Sequence, residues 1–414
     1  MNVDTDRLRN DIEANAAFGA LDTETGRGRT VLTGTDADRR ARERLLDRFA
    51  DADLDVRIDS VGNIAGRWVP EGVAPDTPAV AMGSHLDSVP EGGIFDGPLG
   101  VYGALEALRA IRDADLALSR PIEVVCFTGE EGARFGVGTL GSSAATGHRT
   151  IEDVLSLTDE SDVSLESALE NTGFRGEDTI DPAAWDSWFE LHIEQGTRLE
   201  SSGAAVGVVN AITGLTNGLV TFSGEADHAG STPMDERRDA LAAAAAFIGA
   251  VEDTATAVAA TQPTAVATVG KMTVSPNARN IVPGEVVLEL DVRDIDGATM
   301  DRIMSDLRDH CERIGEERPV ETAFERPRND PPSHMSDRLR DLVTDMNAPD
   351  GIGVETMHSA AMHDTALVAD QTDALLLFAP SQDGISHNPR EWTDWSDCAT
   401  ATGFLARAVA AAAG

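Results

Sequence analysis

Lysine is nearly absent from this 414-residue chain, and positive charge is scarce overall. Lysine occurs once, at Lys271, and arginine and lysine together number 33 against 72 acidic residues, so the formal net charge is −39 at pH 7. Nothing resembles a basic stripe, which argues against nucleic acid as a partner. A surface this acidic repels itself at low ionic strength and is screened by concentrated cations. We therefore expect a protein of a high-salt cytoplasm, with an acidic protein of an ordinary cytoplasm as the alternative.

Cysteine and long apolar runs are also scarce. Cys126, Cys311 and Cys398 lie far apart without a CxxC spacing, which argues against a disulfide framework and against a thiolate zinc site. The longest apolar stretch, Ala240 to Val251, is shorter than the roughly 20 residues that a bilayer span needs. We expect no membrane partner. The apolar content of 41% suits a globular protein, and the length accommodates two or three domains.

The first half of the chain alternates between strand-like and helix-like segments. Up to about Gly207, helical spacing in ARERLLDRFADADL and GVYGALEALRAIRDA alternates with apolar strands in PAVAMGSHLDS, PIEVVCFTGEE and WFELHIEQG. Alternation of this kind predicts an α/β fold in which a mostly parallel sheet is sandwiched by helices.

A different pattern begins near Ile212. The order of strand-like and helix-like segments from there is βαββαβ, which predicts a ferredoxin-like α+β domain that ends where RNDPPSH breaks the pattern. A buried strand in ALLLFAP and a C-terminal helix follow. We therefore expect a catalytic domain formed by residues 1–211 and 330–414, with a lid and dimerisation domain, residues 212–329, inserted between its halves.

Five residues of types that bind divalent metals end or follow strand-like segments. They are His85 and Asp96 in GSHLDSVPEGGIFDG, Glu131 in FTGEEGARFG, His192 in ELHIEQG and His387 in DGISHNPRE. In an open α/β sheet, ligands gather at the carboxyl ends of the strands. Three such ligands per ion, with one carboxylate shared, leave coordination positions free for water and substrate. The pattern predicts a two-metal hydrolase.

Two further acids stand beside these candidates. His85 and Asp87 are two apart on a strand and point to the same side, so Asp87 can fix the tautomer of a ligating imidazole. Glu130 and Glu131 are adjacent, so their side chains diverge, and Glu130 can act as the general base while Glu131 binds metal. Taken singly, a chance HxD spacing and an ordinary surface acid pair remain alternatives.

Together these segments resemble a known amidase family. GSHLDSVPEGGIFDGPLGV, FTGEEGARFG, ELHIEQGTRLE, DHAGSTPM and PSQDGISHNPRE are similar to segments of N-carbamoyl-L-amino-acid hydrolases, allantoate amidohydrolases and β-ureidopropionases. That family is a branch of the aminoacylase/carboxypeptidase-type dinuclear metallohydrolases. The resemblance runs from about residue 83 to residue 391. It implies hydrolysis of a linear amide or ureide C–N bond, first of all conversion of an N-carbamoyl amino acid to the amino acid, CO2 and ammonia.

The resemblance also implies two metal groups that share one carboxylate. The groups are His85, Asp96 and His192, and Asp96, Glu131 and His387. Glu130 would be the base, and Asp87 would orient His85. Imidazole and carboxylate ligands without thiolate suit zinc first, with manganese, cobalt or nickel open.

Substrate contacts are implied in the same way. The matching residues are Gln195, His228, Asn280, Arg293 and His363. His228 would stabilise the oxyanion of the tetrahedral intermediate, and Asn280 with Arg293 would grip the substrate carboxylate, for which arginine offers a planar two-pronged donor. In the family, the equivalents of His228, Asn280 and Arg293 come from the partner subunit's lid, which implies a homodimer.

One segment departs from the family pattern and leaves the substrate open. The family's SGAGHDA reads HSAAMHDTA here, and Ala360 and Met362 in place of small glycines would narrow the pocket for substrate. Allantoate amidohydrolase, β-ureidopropionase and a dinuclear aminoacylase or aminopeptidase are the alternatives within the enzyme class. Outside it, the alternative is a non-catalytic metal-binding dimerisation module.

Overall fold

A computed structural model describes residues 1–346 and 352–414 of the chain. These residues divide into two compact units. Unit 1 is Met1–Asn210 with His334–Gly414, and unit 2 is Ala211–Ser333. The insertion expected at residues 212–329 lies inside the span of unit 2.

The described residues form fifteen strands and twelve α-helices. The strands are β1 Asp55–Ile58, β2 Ile64–Trp68, β3 Val80–His85, β4 Ile122–Phe127, β5 Ser187–Ile193, β6 Val206–Ile212, β7 Gly214–Ser223, β8 Asp227–His228, β9 Val266–Ser275, β10 Ile281–Val282, β11 Glu285–Asp294, β12 Glu321–Asp330, β13 Ser333–His334, β14 Val354–Ser359 and β15 Asp373–Ala379. The helices are α1 Thr5–Asn15, α2 Asp36–Asp51, α3 Pro98–Asp113, α4 Leu140–Ala145, α5 Ile151–Ser156, α6 Leu165–Thr172, α7 Arg198–Ser202, α8 Ala240–Ala259, α9 Gly297–Glu317, α10 Asp337–Asp345, α11 Asp364–Val368 and α12 Trp395–Ala413.

The large sheet has the order β1-β2-β4-β3-β5-β15-β6-β13, with β14 beside β6. Its central strands β4, β3, β5 and β15 are parallel, whereas β2 and β6 join them in antiparallel pairing. The mostly parallel α/β sheet predicted from the sequence is therefore confirmed at its centre. Because the four central strands run the same way, their carboxyl ends meet at one edge.

Apolar layers cover both faces of this sheet. Strands β3 and β4 are buried along their whole length, as expected for parallel strands with helices on either side. Helix α3 lies close over the face that carries Ser84, because a Cβ on Gly100 would come 2.4 Å from the Ser84 Cβ. The opposite face carries Ala81 and Trp188 in a core that also contains Phe127. The charged and imidazole groups at the strand ends are thus attached to strands that are buried and well packed on both faces.

Unit 2 contains a four-stranded antiparallel sheet of order β12-β7-β11-β9. The two helices of the unit, α8 and α9, complete a βαββαβ succession, which is the split βαβ arrangement. Alternate residues of β7 are buried, and Phe222, Phe247, Leu288 and Leu307 belong to the core between sheet and helices. Strands β8 and β10 form a separate two-stranded ribbon.

Helix α8, Ala240–Ala259, is longer than the apolar stretch Ala240 to Val251 that it contains. It has 20 residues and, by length and composition alone, could cross a membrane, so the expectation that this segment is too short was wrong. Such a helix is weak evidence for a membrane, because core helices of soluble proteins pass the same test. Ala240, Ala244, Phe247 and Val251 pack one face of α8 into the core of unit 2.

Candidate metal centre

Four neighbouring strand ends in unit 1 carry candidate metal ligands or acids. His85 is the last residue of β3, and His192 is the second-last residue of β5. Glu130 and Glu131 follow β4, and His387 lies in the loop after β15. Since these strands are parallel neighbours, their side chains are delivered to one edge of the sheet. His85 and His387, which lie far apart in the sequence, thus both come to lie against Asp96.

Asp96 lies between the imidazoles. Its Oδ1 is 3.3 Å from the His192 Nε2 and 3.6 Å from the His85 Nε2. Its Oδ2 is 3.4 Å from the His387 Nε2, and that nitrogen is 3.3 Å from the Glu131 Oε2. The chain therefore forms two groups, His85–Asp96–His192 and Asp96–Glu131–His387, and within each the ligand atoms lie within 4.8 Å of one another.

The histidine tautomers fit divalent metal ions. The Nδ1 of His85 lies 3.2 Å from the carbonyl oxygen of Asp87, and the Nδ1 of His192 lies 3.0 Å from that of Ile193. An imidazole that donates from Nδ1 presents an unprotonated Nε2. Both Nε2 atoms are buried and have no hydrogen-bond partner among the described residues. With Nδ1 as the donor, both Nε2 atoms would offer a lone pair next to the Asp96 carboxylate, which suits zinc and similar ions.

Gly97 lets the Asp96 loop approach His85. Its φ is +80°, and a Cβ at this position would lie 2.5 Å from the His85 Cε1. Pro98 follows as the first residue of α3, where its missing N–H is not needed. A residue with a side chain at position 97 would push the imidazole away from Asp96.

Asp87 contacts more than the imidazole it was expected to orient. Its carbonyl oxygen is the nearer acceptor for His85, whereas its carboxylate lies 3.6 Å from the Nδ1. The same carboxylate accepts from the backbone N–H groups of Glu130 and Glu131, each at 3.2 Å. Burial raises the pKa of Asp87, but His85 and these two donors bring the pKa below its ordinary value. An ionised Asp87 thus ties the end of β3 to the chain that carries both glutamates.

Glu130 is a largely buried carboxyl group beside the first histidine. Its Oε2 is 3.8 Å from the His85 Nε2. Burial raises the pKa of Glu130 well above its ordinary value, and His85 opposes this only in part. Asp364, whose own pKa burial raises to about 8, also raises the pKa of Glu130. A carboxyl group whose pKa is raised in this way is suited to general acid–base chemistry.

Gln195 and His363 also lie against this cluster. The Gln195 Nε2 donates to the Asp96 Oδ2 at 2.8 Å, and its buried Oε1 has no hydrogen-bond partner among the described residues. The His363 ring packs edge-on to the His192 ring, with centroids 4.5 Å apart. Burial and then the neighbouring His192 lower the pKa of His363 well below its ordinary value, so this imidazole is neutral.

His228 and Asn280 are neighbours within unit 2. The exposed His228 belongs to β8, and the N–H of Ala229 donates to the Asn280 carbonyl oxygen at 2.9 Å. The His228 Nδ1 accepts from the N–H groups of Gly230 at 3.0 Å and Ser231 at 3.1 Å. Two donors on Nδ1 leave Nε2 as the nitrogen that carries the proton. His228 can therefore donate a hydrogen bond from Nε2.

Arg293 lies on β11 and already has a carboxylate partner. Its Nε and Nη2 donate to the two oxygens of Asp291 at 2.8 Å and 3.0 Å. Both side chains are more than a third exposed. One edge of the guanidinium is thus occupied, and Nη1 remains for a second carboxylate.

Three residues that contact this centre were not singled out from the sequence. Ser386 and Glu391 lie in the DGISHNPRE segment, from which only His387 was used, and Arg29 lies in TGRGRT. The polar residues on either side of His387 were the available signal. Their contacts depend on the fold, because Glu391 and Asp96 lie far apart in sequence.

Comparisons with known proteins find relatives over almost the whole chain. The sequence model of the peptidase family M20/M25/M40 matches residues 81–411. An N-carbamoyl-L-amino acid amidohydrolase of Geobacillus stearothermophilus is 36% identical over 94% of this chain and 94% of its own length. A ureidoglycolate hydrolase of Arabidopsis thaliana is 34% identical over 99% of this chain and 87% of its own length.

A solved structure is similar to this chain over its whole length. An amidase of the hydantoinase/carbamoylase family from Burkholderia multivorans has a TM-score of 0.90 and 34% identity, and covers 100% of this chain and 98% of its own. The resemblance inferred from the motifs is thereby confirmed. The chain belongs to the peptidase family M20/M25/M40, among its amidases of the hydantoinase/carbamoylase type.

Proposed function

We propose that this amidohydrolase converts N-carbamoyl-L-amino acids to the free amino acid, CO2 and ammonia. The observation that carries the proposal is the position of the largely buried Glu130, whose side chain is 11% exposed, beside two ligand groups that share Asp96. Similarity to an N-carbamoyl-L-amino acid amidohydrolase over almost the full chain supports the substrate class. A hydrolase of linear C–N bonds needs a water that is activated and a leaving nitrogen that receives a proton.

Two divalent ions would be held by the two groups described above. When bound, such ions polarise a carbonyl oxygen and lower the pKa of water. Glu130 would take the proton of the attacking water and pass it to the leaving nitrogen. Its raised pKa supports this role, because a carboxyl group that binds a proton more tightly than an ordinary glutamate can also act as the acid of the next step. Zinc is our first choice for the metal, with manganese, cobalt or nickel also suited to these ligands.

The carboxylate and the developing oxyanion of the substrate would be bound by residues of unit 2. Its His228 would donate from Nε2 to the oxyanion, and the two amide donors on Nδ1 support that tautomer. Arg293 and Asn280 would bind the substrate carboxylate. We propose that a second copy of the chain supplies these residues, so the active form would be a homodimer. Gln195 and His363 would contact the substrate from unit 1.

We also propose that the protein works in a high-salt cytoplasm. The formal charge of −39 supports a protein of a high-salt cytoplasm without nucleic acid as a partner, and the packing of α8 into the core of unit 2 supports the absence of a membrane partner. The acidic surface would be screened there by concentrated cations.

A substrate panel tests the proposed function. Purified protein, supplied with zinc or manganese in high salt, would be given N-carbamoyl, N-formyl and N-acetyl forms of the same amino acid in both enantiomers, plus allantoate and a β-ureido acid. We expect the highest kcat/KM for an N-carbamoyl-L-amino acid, with ammonia and amino acid released in equal amounts. A higher kcat/KM for allantoate, the β-ureido acid or the N-acetyl compound would replace the proposal with the corresponding activity. No turnover with any compound in the presence of bound metal would favour the non-catalytic alternative.

A further inference from the structure

Glu391 contacts the loop that carries the shared ligand Asp96. The Glu391 side chain is buried, and its Oε1 accepts from the backbone N–H groups of Phe95 at 2.9 Å and Asp96 at 3.1 Å. A Cβ on Gly93 would lie 2.1 Å from the same oxygen, so the carboxylate fits only against a glycine. The segment after His387 thus holds the backbone of the loop that carries Asp96.

Ser386 connects the two carboxylates. Its hydroxyl lies 2.9 Å from the Asp96 Oδ2 and 3.3 Å from the Glu391 Oε2. The Gln195 Nε2 donates to the same hydroxyl at 3.0 Å. A hydroxyl has one proton to donate, and the shorter distance favours donation to Asp96. The oxygen that receives it is the one facing His387.

Arg29 lies behind the same loop and is fully buried. Its Nε donates to the Gly93 carbonyl oxygen at 3.1 Å, and its Nη2 lies 3.4 Å and 3.5 Å from the carbonyl oxygens of Asp87 and Asp96. A buried guanidinium needs an opposite charge, and Glu391 supplies the strongest attraction on it. Arg29 therefore holds the carbonyl side of the loop while Glu391 holds its N–H side.

We propose that Glu391 is a positioning residue for Asp96, which it holds where the carboxylate can serve both ligand groups at once. The proposal rests on the proposed function in one respect, namely that both groups bind metal. Asp96 is the one residue common to the two groups. A change that displaces Asp96 lowers the affinity for both ions, whereas a change in a ligand that belongs to one group lowers the affinity for one ion. Residues that orient metal ligands typically affect metal affinity by about 10–100-fold.

Zinc binding to the metal-free protein tests this without reference to activity. Titration against a chromophoric chelator gives the affinities of both sites. For Glu391→Ala we expect both to fall by about 10–100-fold. Glu391→Gln keeps an oxygen that can accept from Phe95 and Asp96, so its losses should be clearly smaller. Ser386→Ala should lower the zinc affinity of the group that contains His387 more than that of the group that contains His192. The reason is that the hydroxyl donates to the Asp96 oxygen facing His387.

Glu123→Ala is the matched control. Glu123 is a fully buried glutamate that pairs with Arg57 and Arg67 and lies at the start of β4, whereas Glu130 and Glu131 follow the end of that strand. Its loss should lower stability while both zinc affinities remain those of the wild type. If Glu391→Ala does not fold, Glu391→Gln is compared with Glu123→Ala instead: a smaller loss of zinc affinity at both sites is expected, and wild-type affinity at both sites would overturn the inference.

The outcomes separate this inference from the proposed function. If the wild-type protein binds fewer than two zinc ions, the two-metal site itself is wrong and the inference falls with it. If the wild type binds two ions and Glu391→Ala keeps both affinities, the inference alone is overturned. It is also overturned if only one of the two affinities falls, or if Glu391→Gln loses as much as Glu391→Ala.

Discussion

Glu130 and Glu131 are adjacent in sequence but differ in their neighbours, and this difference separates their expected roles. Glu131 lies 3.3 Å from His387 within a ligand group, whereas Glu130 belongs to neither group. We expect Glu130→Gln to keep the metal content of the wild type and to lower kcat by about 100-fold or more, the effect typical of losing a general base. Metal content by plasma emission spectrometry and steady-state kinetics measure the two quantities.

Glu131→Gln is the control for this experiment. It should lose one ion, because an amide is a weaker ligand than a carboxylate. Near-normal turnover in Glu130→Gln, or equal loss of metal in both variants, would contradict the assignment of Glu130 as base.

Arg293 offers a test of carboxylate recognition. Because Asp291 occupies one edge of its guanidinium, the other edge is available for the substrate. For Arg293→Ala we expect kcat/KM for a free-acid substrate to fall by roughly 10–100-fold, as for loss of a charge-assisted hydrogen bond of about 1.5–3 kcal/mol. An amide-capped substrate should lose much less. The ratio of the two kcat/KM values is the measured quantity.

Arg326→Ala is the matched control for Arg293. Arg326 lies on β12 in the same unit and pairs with Asp301. Its removal should leave the free-acid to amide-capped ratio of the wild type. If Arg293→Ala also leaves that ratio unchanged, Arg293 does not bind the substrate carboxylate.

The identity of candidate ligands could be predicted from the sequence, but the atoms they use could not. Residue type and position after a strand were enough to choose His85, Asp96 and His192. The sequence did not indicate that the Asp87 carbonyl would be the closer acceptor for His85. That choice depends on backbone angles after β3, which no local pattern of residues encodes.

The turn between β1 and β2 supports the chain that follows β4. The buried Asn63 accepts from the Thr128 N–H at 2.9 Å and donates to Asp59 at 2.8 Å and to the Gly141 carbonyl oxygen at 3.0 Å. Asn63→Ala would leave a buried donor and a buried acceptor unpaired. We expect the free energy of unfolding to fall by roughly 2–4 kcal/mol, since each such group is worth about 1–3 kcal/mol. Urea denaturation followed by fluorescence of Trp185 and Trp188, which lie in the core of unit 1, measures it.

Asn171→Ala is the control for this element. Asn171 is an exposed residue of α6, where alanine favours the helix. Its unfolding free energy should be unchanged or slightly higher. A loss of less than about 0.5 kcal/mol in Asn63→Ala, the range of ordinary surface substitutions, would show that the turn does not support this region.

Strands and helices could be predicted where the period of their apolar residues was clear. They were missed where hydrogen bonding to a neighbouring strand determines the structure. The buried runs of β3, β4 and β15 were recognised because they are short, apolar and bounded by polar residues. Strands β6 and β14 were not expected, nor was the antiparallel pairing of β2 and β6. A strand pattern states which side chains are buried but not which neighbour supplies the hydrogen bonds. The apolar stretch Ala240 to Val251 is only part of helix α8, which continues through polar and acidic residues to Ala259.

The charge of the whole chain leads to a prediction about salt. With a formal net charge of −39, the folded protein at pH 7 repels itself, and folding concentrates that charge. Raising KCl from about 0.1 M to about 1 M shortens the screening length from about 10 Å to about 3 Å. We therefore expect the midpoint of thermal unfolding of the metal-free protein to rise over this range, as measured by circular dichroism. Sucrose at equal osmolality serves as a control for solvent exclusion.

A second arm at acid pH decides whether screening is the cause. At the sequence isoelectric point of about 4.4 the net charge approaches zero, so salt has little net repulsion left to screen. The rise in the unfolding midpoint between 0.1 M and 1 M KCl should therefore be much smaller at pH 4.4 than at pH 7, on the order of the effect of sucrose. Metal-free protein is used in both arms so that protonation of ligand residues does not remove bound ions from only one of them. An equal rise at both pH values would mean that the acidic surface does not set the salt response, and the proposed high-salt setting would lose its physical basis.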